Sequence, residues 1–443
     1  MSAGSTTAVE APQRVLHVDS AREWRGGESQ ALLVAEGMAA RGHSVTIACR
    51  SGGHLEARAR AAGLPVRPLA FGGDLAPCAA LGLARTLGRD APDVVHAHDP
   101  HATAAALLAV RLRRRGQVVA SRRVALPLPG PLSRRKYAAC GSVIAVSRAV
   151  ARVLEEGGLS RRRLRLIYDG VPDRGRAPDG SAALRELGLP TDEAVIGNVA
   201  ALAEHKDHAT LLAAMPRVLA AVPGARLVIV GAGALRSRLE AEARMLGLGG
   251  RCLFTGFRRD LDRLIPAFSL VCLTSRTEGL GSSLLDAMCF GRAVVATDAG
   301  GIPEVVEHGR TGLLVPVGDA AALAAALIEL LRAPERRKAL GRAGRRRFER
   351  EFTAERMVDE TLDVYRELHG SRQPARESSR AGDERQRGRE TGPPHACETL
   401  VLSPPSSRNP TMIQNTSRPR FMRTKAALTV VASGMPIARR LRT

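Results

Sequence analysis

The stretch "RVLHVDSAREWRGGESQALLVAEGMAARGH", Arg14 to His43, opens with six residues that read as a short apolar strand. Two glycines break the chain, and an apolar repeat with helical spacing follows. A strand, a glycine turn and a helix are the first unit of a parallel sheet covered by helices. The strand "SVTIACR" (44–50) comes next. Further on lie "PDVVHAHD" (92–99), a helix through "ATAAALLAVRLRRRG" (102–116), "QVVAS" (117–121) and "SVIAV" (142–146). The alternation predicts an α/β domain over residues 12–178.

"DRGRAPDGSA" (173–182) is a polar linker. The pattern restarts at "AVIGNVAAL" (194–202) and runs through "ARLVIVGAG", "RCLFTGF", "LVCLTS" and "RAVVATDAG" to a helix at 319–332. A second Rossmann-like, doubly wound unit is therefore expected over 190–351, facing the first across a cleft, the usual place for a ligand. Residues 371–443 turn polar, charged and Pro/Gly-bearing, and are expected to be disordered.

Composition bounds the function classes. The 443 residues carry a net charge of +22, but the basic residues are spread out and aromatics are only 3%. Few rings stand ready to stack on bases, so no nucleic-acid partner is expected. Seven scattered cysteines without a CxxC pair fit reduced thiols and a cytoplasmic protein. The first residues lack an apolar core, so no signal peptide is expected, and no apolar run is long enough to span a membrane.

The chemistry concentrates in "EGLGSSLLD", Glu278 to Asp286. Gly279 and Gly281 let the backbone turn and approach a ligand. Ser282 or Ser283 can cap the helix that follows, whose first amides attract an anion. Glu278 would repel phosphate, so it suits hydroxyl groups, as does Asp286. A diphosphate flanked by two sugars satisfies every part. A plain helix start with acids, a glycosidase pair and a metal site are the alternatives. A glycosidase pair needs no anion cradle, and no His or Cys cluster sits nearby in sequence.

Lys206 is one of four lysines in a chain with 66 basic residues. Set in "AALAEHKDH", its compact ammonium suits phosphate oxygens. There is no GxxxxGK[ST] phosphate loop, and "VIVGAG" around Gly231 lacks the third glycine of a dinucleotide fingerprint.

The ordered series "RGGESQ…GMAARGH", "DVVHAHDP", "VIAVSRAV", "IYDGVP", "IGNVAALAEHKDHATLLAAM", "LVIVGAG", "FTGF", "EGLGSSLLDAM", "AVVATDAGGIPEVV" and "TGLLVPVGD" resembles family-4 (group 1) retaining glycosyltransferases of the GT-B fold, over roughly residues 12–369. The resemblance implies that Glu278 is the first acid of an E-x7-E motif and meets the donor sugar. Asp286 takes the place of the second, ribose-binding acid, usually Glu. Gly279, Leu280, Gly281 and Ser282 would offer amides to sugar and phosphate, and Lys206 would hold the diphosphate. The Arg the family often carries just before that lysine is replaced by "VAAL". His98 matches a histidine beside the reacting sugar. Gly26 and Gly27 match the loop facing donor phosphates and acceptor, with Arg122 and Arg123 nearby. Gly231, Phe257 and Arg258 belong with the donor set, the last two beside the nucleobase.

The implied activity is retaining, metal-independent glycosyl transfer from a nucleotide-diphosphate sugar to a glycan or lipid-linked acceptor in envelope polysaccharide or lipopolysaccharide synthesis. No cofactor is implied. A helix over 352–369 is expected to cross back to the first domain. The basic stretches "RLRRRG" and "LSRRKY", close to Leu126, Leu128 and Leu132, suggest weak contact with the inner face of an anionic membrane. A non-catalytic sugar-nucleotide-binding protein and a same-fold epimerase or phosphorylase are the competing readings.

Overall fold

The computed structural model describes residues 12–71, 77–175 and 179–370; the expected disordered tail, 371–443, lies outside the described residues. Two parallel sheets carry the fold. The first holds β1 (Arg14–Asp19), β2 (Ser44–Arg50), β3 (Val66–Leu69), β4 (Val94–Ala97), β5 (Gln117–Arg122), β6 (Ser142–Ala145) and β7 (Leu164–Leu166), in the order β3-β2-β1-β4-β5-β6-β7. The second holds β8 (Val195–Val199), β9 (Arg226–Val230), β10 (Cys252–Gly256), β11 (Leu270–Leu273), β12 (Ala293–Thr297) and β13 (Leu313–Val315), in the order β10-β9-β8-β11-β12-β13. Every pairing within these sheets is parallel. Helices between the strands cover both faces, which is why strands such as β4, β11 and β12 are buried at every residue.

The strand order reverses between β1 and β4 in one sheet and between β8 and β11 in the other. Neighbouring connections leave these points in opposite directions, so a crevice opens beyond the carboxyl ends of those strands. Residues 17–28 and 96–99 reach one crevice; residues 200–207 and 274–282 reach the other. The elements that carry the candidate chemistry are thus fixed by topology before any side chain is considered.

With so few aromatics, the core is built from Ala, Val and Leu. The helix Ala320–Arg332 shows the pattern. Asp319 caps it by accepting from the amides of Ala321 and Ala322, and Leu323, Leu327 and Leu330 bury one face completely. A long helix, Ala354–Gly370, packs on the first sheet's side of the molecule. Its Tyr365 is fully buried against His96, Asp359 pairs with Arg41 at 2.8 Å, and Gln117 donates to the carbonyl of Leu368 at 3.2 Å.

Candidate active site

Lys206 ends a single 3-10 turn, Glu204–Lys206, after β8. The turn is pinned from β11's side: Thr274 Oγ1 donates to the carbonyls of Lys206 and Asp207 at 3.0 and 3.1 Å, and the Arg276 amide donates to His205 at 2.8 Å. Asp207 adopts the left-handed region (φ 49°) and is buried, with its carboxylate held by Arg276 at 3.1 Å. These contacts aim the lysine at the loop after β11. There its ammonium is ion-paired with Oε1 of Glu278, which also accepts from Ser275 Oγ at 2.9 Å. The two charged side chains retain only 17% and 12% exposure.

Gly281 has φ 97° and is itself the N-cap of the helix Ser282–Cys289; no side chain caps that helix. The expected serine cap is therefore corrected. With glycine in the capping position no side chain meets the first amides; the Leu284 amide turns back to the Gly281 carbonyl at 2.9 Å, and those of Ser282 and Ser283 remain for a ligand. Leu280 is buried in the core, so only its backbone can face a ligand.

In the first half, His98 follows β4 and is buried with His17 of β1 and His96 of β4. Arg123 NH1 lies 3.3 Å from His98 Nδ1, and His98 Nε2 lies 2.9 Å from His17 Nδ1. A guanidinium can only donate, so His98 accepts at Nδ1 and donates from Nε2 to His17. Burial, with the charge of Arg123, lowers His17 to about 3, and burial drives His96 and His98 well below the usual imidazole range. All three rings are neutral near pH 7. Their nitrogens lie within 4.8 Å of one another, a spacing that could admit a metal. However, His96 is bonded to Tyr365 and Ser121 at 2.6 and 2.8 Å, and Arg123 places a positive charge against the group. This donor set behaves as a hydrogen-bonded network.

Arg123 links the two halves. Its Nε donates to the buried Asp169 at 3.1 Å, its Cδ lies 3.9 Å from where a Cβ on Gly27 would be, and its carbonyl meets Gly279. Gly26 faces Ser282 Oγ at 3.5 Å, by the same measure. Nearby, Glu304 of the second half accepts from the amides of Arg148 and Ala149 at 2.7 and 2.8 Å and from Tyr168 at 3.1 Å. A continuous series of contacts thus runs His98, Arg123, Gly279, Glu278, Lys206.

Other expected residues lie elsewhere. Arg122 alternates to the opposite side of β5 from the next residue's position and is buried in its own loop, donating to the Leu126 carbonyl at 2.6 Å and Tyr137 OH at 3.3 Å. It is not brought to the cleft. Gly231 serves packing: a Cβ there would stand 1.9 Å from the Ala200 carbonyl. Phe257 is 52% exposed beyond β10, and Arg258 is paired with Asp260 at 2.6 Å. Asp286, on the second turn of the helix Ser282–Cys289, is raised to about 6 by burial, with the charge of Arg174 opposing. Arg174 also lines a cavity of about 350 Å³ with Pro172, Asp262 and Phe290.

His17, Asp19, Glu28, Asp169 and Ser275 were not singled out by the sequence. Asp19 is raised to about 7 by burial and by the neighbouring Asp99 and Glu28. The available signal was position: Asp19 ends β1 and Ser275 follows β11, both at the strand-order reversals. Asp169 had no such signal.

Residues 24–174 match the family model described as Glycosyltransferase Family 4, and residues 181–347 match that of Glycosyl transferases group 1. Both halves of the chain match glycosyltransferases. The chain is 35% identical over 193 residues to a GDP-mannose-dependent monoacylated alpha-(1-6)-phosphatidylinositol monomannoside mannosyltransferase of Corynebacterium glutamicum, covering 42% of this chain and 50% of the relative. It is 34% identical over 197 residues to D-inositol 3-phosphate glycosyltransferase of Segniliparus rotundus, covering 43% and 44%. The chain spans about half the length of the curated relatives it matches. Anabaena HepE, solved with UDP-glucose, superposes with a TM-score of 0.71 at 23% identity, over 81% of this chain and 100% of that one. The fold of this group 1 glycosyltransferase-like chain is GT-B.

Proposed function

We propose that this chain transfers a sugar from a nucleotide-diphosphate sugar to a hydroxyl of a glycan or lipid-linked acceptor, with retention at the anomeric carbon and without a metal. The bond between C1 and the diphosphate breaks, and its electron pair goes to the leaving phosphate oxygen. The acceptor oxygen bonds to C1 from the same face, and its proton passes to that phosphate oxygen. Lys206 and the first amides of the helix Ser282–Cys289 stabilise the developing phosphate charge. Glu278 orients the sugar hydroxyls, and the neutral His98 borders the reacting sugar. Asp286 accepts from the ribose.

The observation that carries this reading is the seating of Arg123 on Gly279 and of Gly26 on Ser282, which joins a phosphate-suited helix start to a buried histidine from the other sheet. The GDP-mannose-dependent relative of Corynebacterium glutamicum supports it, as does the sugar nucleotide bound by HepE. Relatives such as a lipopolysaccharide core glycosyltransferase of Rhizobium meliloti support a place in envelope glycan synthesis. We assign it to the cytoplasm, resting on the inner face of the membrane. No helix among the described residues is long and apolar enough to cross one.

The test is release of UDP, GDP or ADP from a panel of sugar nucleotides with lipid-linked and free glycan acceptors, in the presence of EDTA. The anomeric configuration of the product is read by NMR. Turnover with inversion, or turnover abolished by EDTA, would overturn those parts of the assignment. Tight donor binding without transfer to any acceptor would favour a non-catalytic role.

A further inference from the structure

Lys206 and Glu278 form an ion pair in which each neutralises the other. Their side chains retain 17% and 12% exposure, and the Glu278 carboxylate has Ser275 Oγ, at 2.9 Å, as its other partner. We infer that this pair makes the site discriminate between intact donor and spent nucleoside diphosphate, with Glu278 acting as the specificity-determining residue that rejects the product. The inference rests on the function proposed above and adds to it a selectivity that the motif alone does not imply.

The argument follows from what each ligand offers the two charges. Any diphosphate that engages Lys206 must draw the ammonium away from Glu278. An intact sugar nucleotide replaces that partner, because its sugar hydroxyls donate to the carboxylate. A free nucleoside diphosphate does not. It has no hydroxyl to offer at that position, and its terminal phosphate carries an additional negative charge that the sugar ester lacks. Glu278 is then left nearly buried, without its cation and facing a like charge. Both effects disfavour the bound state. The geometry holds the carboxylate in place for this role: Glu278's carbonyl accepts from the Gly301 amide at 3.1 Å, and Gly279 is wedged against the Arg123 carbonyl, so the loop cannot simply swing away. After transfer, the pair re-forms as the diphosphate leaves, which favours product release.

The experiment is calorimetric titration of the full chain with matched pairs: UDP and UDP-glucose, GDP and GDP-mannose, ADP and ADP-glucose. For the pair that binds, the wild-type protein is expected to hold the sugar nucleotide more tightly than the diphosphate. Glu278→Gln, which keeps the shape and the Ser275 hydrogen bond, is expected to bind the diphosphate about tenfold more tightly than wild type, the effect of about 1.4 kcal/mol. The same variant should bind the sugar nucleotide no more tightly than wild type. Glu278→Ala should move the diphosphate in the same direction, and thermal melting establishes that both variants are folded. A wild-type protein that prefers the diphosphate, or a folded Glu278→Gln that binds it no better than wild type, overturns the inference while leaving donor binding intact. Failure of the wild-type protein to bind any member of the six removes the proposed function itself.

Discussion

The carbonyl oxygen of Arg123 stands where a β-carbon on Gly279 would come within 2.0 Å of it. The end of β5 therefore rests directly on the loop that carries Glu278, with no room for a side chain between. Real β-carbons do not approach a carbonyl oxygen so closely, so Gly279→Ala must move one backbone off the other. A displacement of about 1 Å at reacting groups costs on the order of 10²-fold in rate. Steady-state diphosphate release by Gly279→Ala should fall by about that factor, and turnover at the wild-type rate would show that the contact does not set the geometry of the site.

The turn at Lys206 is held by Thr274 Oγ1, which donates to the Lys206 and Asp207 carbonyls, and by the Arg276 amide, which donates to the His205 carbonyl, so loss of the lysine side chain should leave the turn standing. Lys206→Ala is expected to lower kcat by about 10²–10³, the scale for losing one donor to a developing charge. Far-ultraviolet circular dichroism establishes that the fold persists. Full activity in the folded variant would remove the lysine from the mechanism.

Glu278 and Asp286, the two acids of "EGLGSSLLD", separate by kinetic signature, and Asp286 carries a pH dependence of its own. Asp286 is raised to about 6, and an acid whose folded value exceeds its unfolded one contributes stability that is present below about pH 4 and lost as the pH rises through about 6. At pH 7.5 it is therefore a source of instability. Asp286→Asn should raise the melting temperature at pH 7.5, by a free energy of roughly 1–3 kcal/mol, and leave it nearly unchanged at pH 3.5. The same substitution should raise the donor KM with a smaller change in kcat, because a ribose contact is shared by ground and transition states. Glu278→Gln should instead reduce kcat severely. Kinetics in the opposite order would exchange the two roles.

Adjacent arginines are expected to fail differently. Arg122→Ala loses its bonds to the Leu126 carbonyl and Tyr137 OH, and should cost roughly 1–3 kcal/mol of stability with donor KM close to wild type. Arg123→Ala strands Asp169, whose carboxylate is already raised by burial, and should cost roughly 3–5 kcal/mol as well as most of the activity. Adding Asp169→Asn to Arg123→Ala removes the stranded charge, so melting temperature should recover in part and turnover should not. Denaturant titration alongside donor kinetics distinguishes a folding role from a role in the site.

Leu126 and Leu132 are 52% and 78% exposed, and Arg134 and Arg135 are exposed on the helix Gly130–Ala138 beside them. Basic side chains near an anionic surface contribute about 1 kcal/mol each, enough for weak and reversible docking by a handful. A chain ending at Gly370 should float with vesicles containing anionic lipid and be released by salt. Replacing Leu132, Arg134 and Arg135 together should abolish flotation. If the shortened chain stays in solution at low salt, the surface is only a solvated basic face.

Two α/β units, their strands and the "EGLGSSLLD" motif were legible in the sequence because strand–helix alternation and glycine breaks are local signals. The pairing of Thr274 with the Lys206 turn, and of His17 with His98, was not, because parallel neighbours are far apart in the chain and only the strand order brings them together. Local reasoning also assigned the helix cap to serine where a left-handed Gly281 fills it, and gave Arg122 and Arg123 one role. Alternation along β5 sends one of these arginines into its own loop and leaves the other at the cleft. Residue types and spacing thus singled out Lys206, Glu278, Asp286 and His98. Only the tertiary structure decided which of these side chains meet, because an ion pair such as Lys206–Glu278 depends on two strand ends being neighbours in a sheet and not on any pattern within either segment.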